Sequence, residues 1–517
     1  MVAYTGHFDE PAIKRSVIHV KIEYTPPTRS EGVIPLEFIL ATPAKVVCSA
    51  LFLSGRDLEE VRKTSFIHAL VVHHMHEVLP DLIDITVDKE AHTVMMSLTP
   101  SEDNVDHIID GYREFYREFS EFDADWSAER ERLVALGTVS RTAKLISEDL
   151  GSAILPLDGR PLGYEPVSVK TALPAADTEA WPNGDVVNWN AIPAGVQARF
   201  AEAVDAGFAD PDAHTAAVVV VHKGELVAER YRPGIASDTQ LESWSMGKSI
   251  TAALIGVLIQ ERRLSLNEPA PVPEWHAQDG DPRAEITLRD LLQMSSGLKF
   301  QGQQSPRQNW VMGVPDHLYV YADVVNSFSY AVSHGLEFPP GTSGRYLNCD
   351  PLTLGYIVKR TVESLGEEYL SWPQRALFDR IGVRRQVLEP DWYGNYLLTG
   401  FDYGTARNWA RFGLLHLQNG VWGGEQVLPE WWSDFVSSHG PGWDEPRYGG
   451  QFWLNGTGEF ALPKSTYMAA GFGEQRTFVV PSHDLVIVRM GHRADTPATR
   501  ESTNRMLGKI LEAAEKA

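Results

Sequence analysis

The stretch Ser245-Met246-Gly247-Lys248 sets a hydroxyl and an amine three residues apart. On a helix these positions share a face, so Lys248 can reach Ser245 Oγ. A serine hydroxyl is a poor nucleophile at neutral pH and needs a neighbouring base. The following segment ITAALIGVLI (250–259) is apolar all round; as a buried helix it would desolvate Lys248 and lower its pKa toward the range where it accepts a proton. Ser245 at the start of that helix would also lie beside free N–H groups and the positive dipole end, both of which favour an oxyanion. A second copy, Ser296-Gly297-Leu298-Lys299, follows the expected helix ITLRDLLQM (286–294) instead of opening one. Gly297 stands there where a C-terminal cap is expected, and the carbonyl end of a helix disfavours negative charge. That copy reads as structural.

Two later segments could complete the chemistry. Tyr346-Leu347-Asn348 lies within PPGTSGRYLNCDPLTLGYIV. A phenol between a lysine and a nucleophile can pass the proton to the leaving group, provided nearby positive charge lowers its pKa; Asn348 can bond Lys248 or the substrate. Tyr393-Gly394-Asn395 repeats the pattern in a turn-rich stretch with no helix to hold it rigid. In Ala470-Gly471-Phe472-Gly473-Glu474-Gln475, Gly471 and Gly473 at a strand edge would let an acyl group approach the backbone, and an N–H there would pair with that of Ser245 as an oxyanion hole. His68, His73, His74 and His76 beside Glu77 invite a metal reading, since imidazoles are common zinc ligands. Adjacent His73 and His74 point apart in a helix or a strand, however, and no second ligand set accompanies them. The expectation is packed or solvated histidines, with no metal and no cofactor. In the loop 299–323, Trp310, Tyr319 and Tyr321 are either pocket walls or packing aromatics.

The elements that must position these residues follow from changes in pattern along the 517 residues, too many for one hydrophobic core. Residues 1–170 mix strand and helix signals: period-2 alternation in SVIHVKIE (16–23) and in DITVDKEAHTVMMSL (84–98), then a charged amphipathic helical region over 103–136 with Tyr112, Phe115, Tyr116, Phe119 and Phe122. Residues 171–193 are rich in Pro, Ala and Asp and read as a linker. Residues 194–517 begin with a helix over 194–208 and two strands over 215–231, and end with a hairpin around Pro481-Ser482-His483-Asp484 and a helix over 499–517. Helices are expected between them at 351–365, 404–418 and 429–437. Strands at both ends with helices between them give an α+β class, with a helical lobe within about 265–440.

Composition narrows the partners. The formal charge of -23 opposes non-specific attraction to nucleic acid or anionic lipid. No apolar run approaches the roughly 18–20 residues that span a bilayer. The start lacks a basic stretch followed by an apolar one, and Cys48 and Cys349 form no disulfide framework. The chain therefore reads as cytoplasmic, with a small-molecule partner; a homodimer is compatible with all of this.

The segments SWSMGKSITAALIG, TLRDLLQMSSGLKF, PPGTSGRYLNCDPLTLGYIV, FDYGTARNWARFGLLHLQNGVW and AAGFGEQRTFVVPSHDLVIVRMG resemble the serine β-lactamase/penicillin-recognising family, in its class C-related branch of 6-aminohexanoate-dimer hydrolases and family VIII carboxylesterases. The resemblance implies a β-lactamase/transpeptidase-like fold, a five-stranded antiparallel sheet sandwiched by helices with a helical second lobe. It makes Ser245 the acylated nucleophile, Lys248 its base, Tyr346 the general acid/base, Asn348 a positioning group, and the N–H groups of Ser245 and Phe472 the oxyanion hole. Where penicillin-binding members have Lys-Thr-Gly, this chain has Ala469-Ala470-Gly471, so the groups that would hold a β-lactam carboxylate are missing. Glu474 stands where relatives often have Gly, and an acid there would repel anionic substrates. KVVCSALFLSGRDLEEV and SRTAKLISEDLGSAILPLD resemble an N-terminal extension of some of these hydrolases, of unknown role. The implied function is hydrolysis of a small ester or amide through a Ser245 acyl-enzyme; the alternatives are acyl transfer at the same site, or a catalytically silent scaffold of this fold.

Overall fold

The computed structural model describes residues 33–71, 75–117, 124–302, 313–492 and 496–517. The expected strand at 16–23, and His73, His74, Phe119, Phe122 and Trp310, lie outside them.

Thr215–His222 (TAAVVVVH) is buried on both faces, as its valine run requires. It lies inside a six-stranded antiparallel sheet in the order Trp453–Leu454, Tyr467–Gly471, Gln475–Val480, Leu485–Gly491, Thr215–His222, Glu225–Tyr231. The resemblance implied five strands; the sixth is the two-residue Trp453–Leu454, paired with Met468 and Tyr467 at the edge. Such a short strand leaves no periodicity to read. On one face Val218, Val220, Phe478 and Ile487 pack against Phe200 of helix Ala194–Asp205 and Met506, Leu507 and Ile510 of helix Pro497–Glu515. The other face, through Val219, Val221, Val486 and Val488, joins the main core, which includes helix Ala406–Leu417.

The helical lobe contains Gly247–Gln260, Leu288–Leu292, Asp316–Ala322, Ser327–Val332 and Cys349–Ser364. Gly247–Gln260 is buried continuously from Gly247 to Leu258, which is why its sequence carries no polar face. Toward the N-terminus, helix Leu36–Phe52 packs on a four-stranded antiparallel sheet ordered Asp84–Asp88, Thr93–Leu98, Val139–Ser147, Gly151–Ile154. The hairpin expected at 84–98 is the first pair of these strands. The amphipathic region forms helices Val105–Tyr116 and Trp126–Leu136, with Tyr112, Phe115 and Tyr116 buried.

One apolar core runs without a break from Ile34 of this module to Met490 of the main sheet. Residues 171–193 are held down despite their linker composition. Trp181 is buried, Arg411 donates to the carbonyls of Pro182 and Gly184, and Arg384 pairs with Glu179 at 2.6 Å. Among the described residues no helix is long and apolar enough to cross a membrane.

Candidate active site

Ser245 lies in a single 3-10 turn, Trp244–Met246, and the α-helix expected to start at Ser245 opens just after it, at Gly247. Trp244 takes a φ of 51°, a left-handed conformation that a bulky side chain rarely adopts, immediately before Ser245. Lys248 falls in the first turn of the helix, 1% exposed, with Nζ 2.7 Å from Ser245 Oγ and 2.8 Å from the Thr399 carbonyl oxygen. Ser245 Oγ also lies 3.1 Å from that carbonyl. Burial drives the Lys248 pKa well below its ordinary value, against the opposing pull of Asp402. Asp402 is fully buried, accepts from Gln386 Nε2 at 3.1 Å, and is pushed up to about 8 by its own desolvation.

Tyr346 stands beside this pair. Lys248 Nζ lies 4.9 Å from the centre of its ring. The expectation that positive charge lowers its pKa is corrected: desolvation dominates and pushes the phenol up to about 12, with Ser245, Trp453 and Arg476 offsetting only part. Tyr346 therefore stays protonated at neutral pH and is available as an acid. Asn348 does not reach Lys248. Its Nδ2 donates to the His317 carbonyl and to Tyr321 Oη, both at 2.8 Å, because the start of helix Cys349–Ser364 turns it into the helical lobe.

Gly471 ends its strand against the nucleophile turn. A methyl group there would come within 2.2 Å of the Ser243 carbonyl oxygen and 3.1 Å of the Ser245 nitrogen, so only glycine permits the approach. Phe472 and Gly473 follow in the hairpin turn, Gly473 with a φ of 84°. The reading of Glu474 as an acid facing substrate is also corrected. It is 1% exposed, and its Oε1 accepts from Arg476 at 3.1 Å and from Arg500 at 2.8 Å, so its charge is spent on two guanidinium groups.

Ser245, Tyr346 and Gly471 open onto a cavity of about 450 Å³ walled by Trp453, Phe460 and Phe472, with Arg476 and Arg500 at one side. Tyr321 lines it, whereas Tyr319 packs between Phe38 and Tyr330. The second Ser-x-x-Lys copy is structural: Ser296 Oγ donates to Asp350 at 2.5 Å, Gly297 has a φ of 78°, and Lys299 is exposed. Tyr393 accepts from Arg160 of the N-terminal module, away from this cavity. No group of metal-binding side chains occurs among the described residues. His68 is instead buried between aromatic rings, stacked on Phe472 at 4.3 Å. Sequence reading missed Thr399, Asp402 and Trp453. The segment beginning Phe401-Asp402-Tyr403-Gly404 contributed to the resemblance, yet nothing in its pattern tied Asp402 to Lys248.

Residues 200–511 match the family model described as Beta-lactamase. The chain belongs to the beta-lactamase family. Its membership is that of a hydrolase family. It is similar to the 6-aminohexanoate-dimer hydrolase of Paenarthrobacter ureafaciens, at 24% identity over 315 residues, 58% of this chain and 77% of that protein. An uncharacterized protein of Alkalihalophilus pseudofirmus is 23% identical over 309 residues, 55% of this chain and 86% of its own length. Among solved structures, a Bacillus anthracis protein provisionally named a 6-aminohexanoate-dimer hydrolase superposes with a TM-score of 0.50 at 24% identity, over 59% of this chain and 81% of that one. That likeness establishes the shared fold.

Proposed function

We propose that this protein is a serine hydrolase that cleaves a small ester or amide through an acyl-enzyme on Ser245. The observation that carries the reading is the 2.7 Å contact between Ser245 Oγ and a buried Lys248 whose charged form is disfavoured. A neutral Lys248, held by the Thr399 carbonyl, takes the hydroxyl proton as Ser245 Oγ attacks the substrate carbonyl carbon. The N–H groups of Ser245 and Phe472 receive the oxyanion. Tyr346 donates its proton to the leaving oxygen or nitrogen and recovers one from the Lys248 ammonium; water, deprotonated in turn by neutral Lys248, then attacks the acyl-enzyme and Ser245 leaves with a proton. The naming of a relative as a 6-aminohexanoate-dimer hydrolase supports the choice of a small-molecule hydrolysis.

The cavity walls are largely apolar and aromatic, which favours substrates with an uncharged acyl portion. Ala469-Ala470-Gly471 offers a β-lactam carboxylate neither a cation nor a hydroxyl, so nitrocefin turnover is expected to be negligible beside that of short p-nitrophenyl esters. A fluorophosphonate should label Ser245, and Ser245→Ala should abolish labelling and ester turnover while the thermal transition stays in place. Turnover that survives the substitution refutes the reading.

A further inference from the structure

We propose that the N-terminal module forms part of the catalytic site, with His68 as the positioning residue that holds Phe472, and with it the second oxyanion donor, in working orientation. The proposal rests on the serine-hydrolase reading of Ser245.

No bond of the strand ladder holds Phe472 itself. The strand pairing of its hairpin ends at Gly471 opposite Gln475, so Phe472 is the first residue beyond the ladder. Gly471 precedes it and Gly473 follows, the latter at a φ of 84°, while Glu474 also has a positive φ of 60°. A turn bounded by two glycines lets the peptide on either side of Phe472 rotate at small steric cost. Rotation of the peptide between Gly471 and Phe472 would swing its N–H away from Ser245.

Arg476 Nη1 donates to the Gly471 carbonyl at 2.8 Å and Arg489 Nη1 to the Glu474 carbonyl at 3.0 Å; between these anchors the Phe472 side chain fixes the residue itself. Its ring stacks on His68 with centroids 4.3 Å apart and planes 19° from parallel, and meets Trp244 edge-on at 5.6 Å. His68 in turn meets Trp244 at 5.3 Å and 87°. One imidazole thus touches both the residue that bears the second donor and the residue that precedes the first. Close aromatic contacts of this kind add directional preference to the burial itself.

The segment leading into the helix that carries His68, Ile67–Val71, is itself tied to the segment before Ser245. Ser65 Oγ donates to Glu242 Oε1, and Arg56 Nη1 lies 3.2 Å from Glu242 Oε2 and 2.8 Å from Ser65 Oγ. Glu242 belongs to the two-residue strand Leu241–Glu242, three positions before Ser245. From the other side His492 Nε2 approaches Glu242 Oε1 at 3.3 Å. At the end of the same helix Val71 lines the cavity that Ser245 opens onto. His68 acts here as a flat plate: burial pushes its pKa down to about 3, so the ring is neutral throughout the working range.

The test compares full-length wild type, His68→Ala and His68→Phe for the second-order rate of fluorophosphonate labelling at Ser245 and for kcat and KM on a short p-nitrophenyl ester. His68→Ala is expected to slow labelling and kcat by at least tenfold with KM within about twofold, since loss of one oxyanion donor costs on the order of 10²–10³ in kcat. His68→Phe restores a flat ring without titratable nitrogens and is expected to recover labelling and kcat to within about threefold of wild type. Wild-type rates in a folded His68→Ala protein overturn the proposal, as does a folded His68→Phe protein as slow as His68→Ala. If His68→Ala does not fold, His68→Leu fills the volume without a planar face and takes its place with the same expected loss. Wild-type protein that no fluorophosphonate labels sinks the serine-hydrolase reading itself, whereas labelled wild type with unaffected variants sinks only the role of His68.

Discussion

Lys248 must be neutral to accept the Ser245 proton, and two opposing effects set the pH at which it is. Desolvation disfavours the ammonium, while the carboxylate form of Asp402 favours it. The rate should therefore rise with pH as Lys248 loses its proton, below the ordinary lysine range. In Asp402→Asn no carboxylate can hold the ammonium form, so the part of the acid limb of the kcat/KM profile near and above about pH 8, where Asp402 is ionised, moves to lower pH with the plateau retained. A limb displaced upward would contradict this electrostatic account. Asp402 also couples to stability. Its raised folded pKa means that the native state holds a proton the unfolded chain has released, between the ordinary carboxylate range and about 8. That contribution is complete at low pH and is lost as pH rises through about 8; Asp402→Asn should flatten this part of the Tm-against-pH curve. Tyr346, pushed up to about 12, is an acid in this scheme. Tyr346→Phe should cost on the order of 10²-fold in kcat on an anilide but far less on a p-nitrophenyl ester, whose leaving group needs no proton. Equal losses on both substrates would assign the phenol another task.

Helices and strands bring these groups together only because small residues let the backbones approach. Beyond Gly471, the helix opening at Gly247 depends on glycine: a methyl group there would come within 2.5 Å of the Leu398 carbonyl oxygen, next to the Thr399 carbonyl that holds Lys248. Gly247→Ala and Gly471→Ala press a Cβ against backbone, not against a flexible side-chain end, so each should cost roughly 1–3 kcal/mol of stability and lower kcat together with it. Chemical denaturation and ester kinetics check both. The same elements mark what a sequence can disclose. Ser245 and Lys248 were legible because helical spacing alone brings them together, and the polarity of the preceding or following helix separated them from Ser296 and Lys299. Tyr346 and Gly471 were legible through the resemblance of their segments. Thr399, Trp453 and Asp402 lie on a loop, a two-residue strand and a short strand end, where no period exists and the partner is set by tertiary approach. His68 showed only an imidazole in a histidine-rich stretch; that it faces Phe472, 404 positions later, follows from packing alone.

The whole molecule is organised around a core that the N-terminal module and the hydrolase region share. At their junction Lys45, on helix Leu36–Phe52, lies 2.6 Å from Glu389 Oε2, and both side chains are almost wholly buried. Glu389 Oε1 also accepts from Ser49 Oγ at 2.5 Å and from the Ser152 backbone at 2.7 Å, so one carboxylate on the hydrolase side ties a helix and a strand of the module. A buried ion pair contributes little net stability, but removal of one partner strands the other charge in the interior, at a cost of about 3–5 kcal/mol. Lys45→Met should therefore destabilise the protein by that order, and Lys45→Met with Glu389→Gln should recover most of the loss, because the pair is then neutral. The continuity of the core makes a second claim. Unfolding should be one transition, with tryptophan fluorescence, far-ultraviolet dichroism and ester turnover lost together in both wild type and the single variant. Turnover that outlasts an early unfolding step of the module would show that the hydrolase region keeps Phe472 in place unaided, and would count against the shared site as well as the shared core.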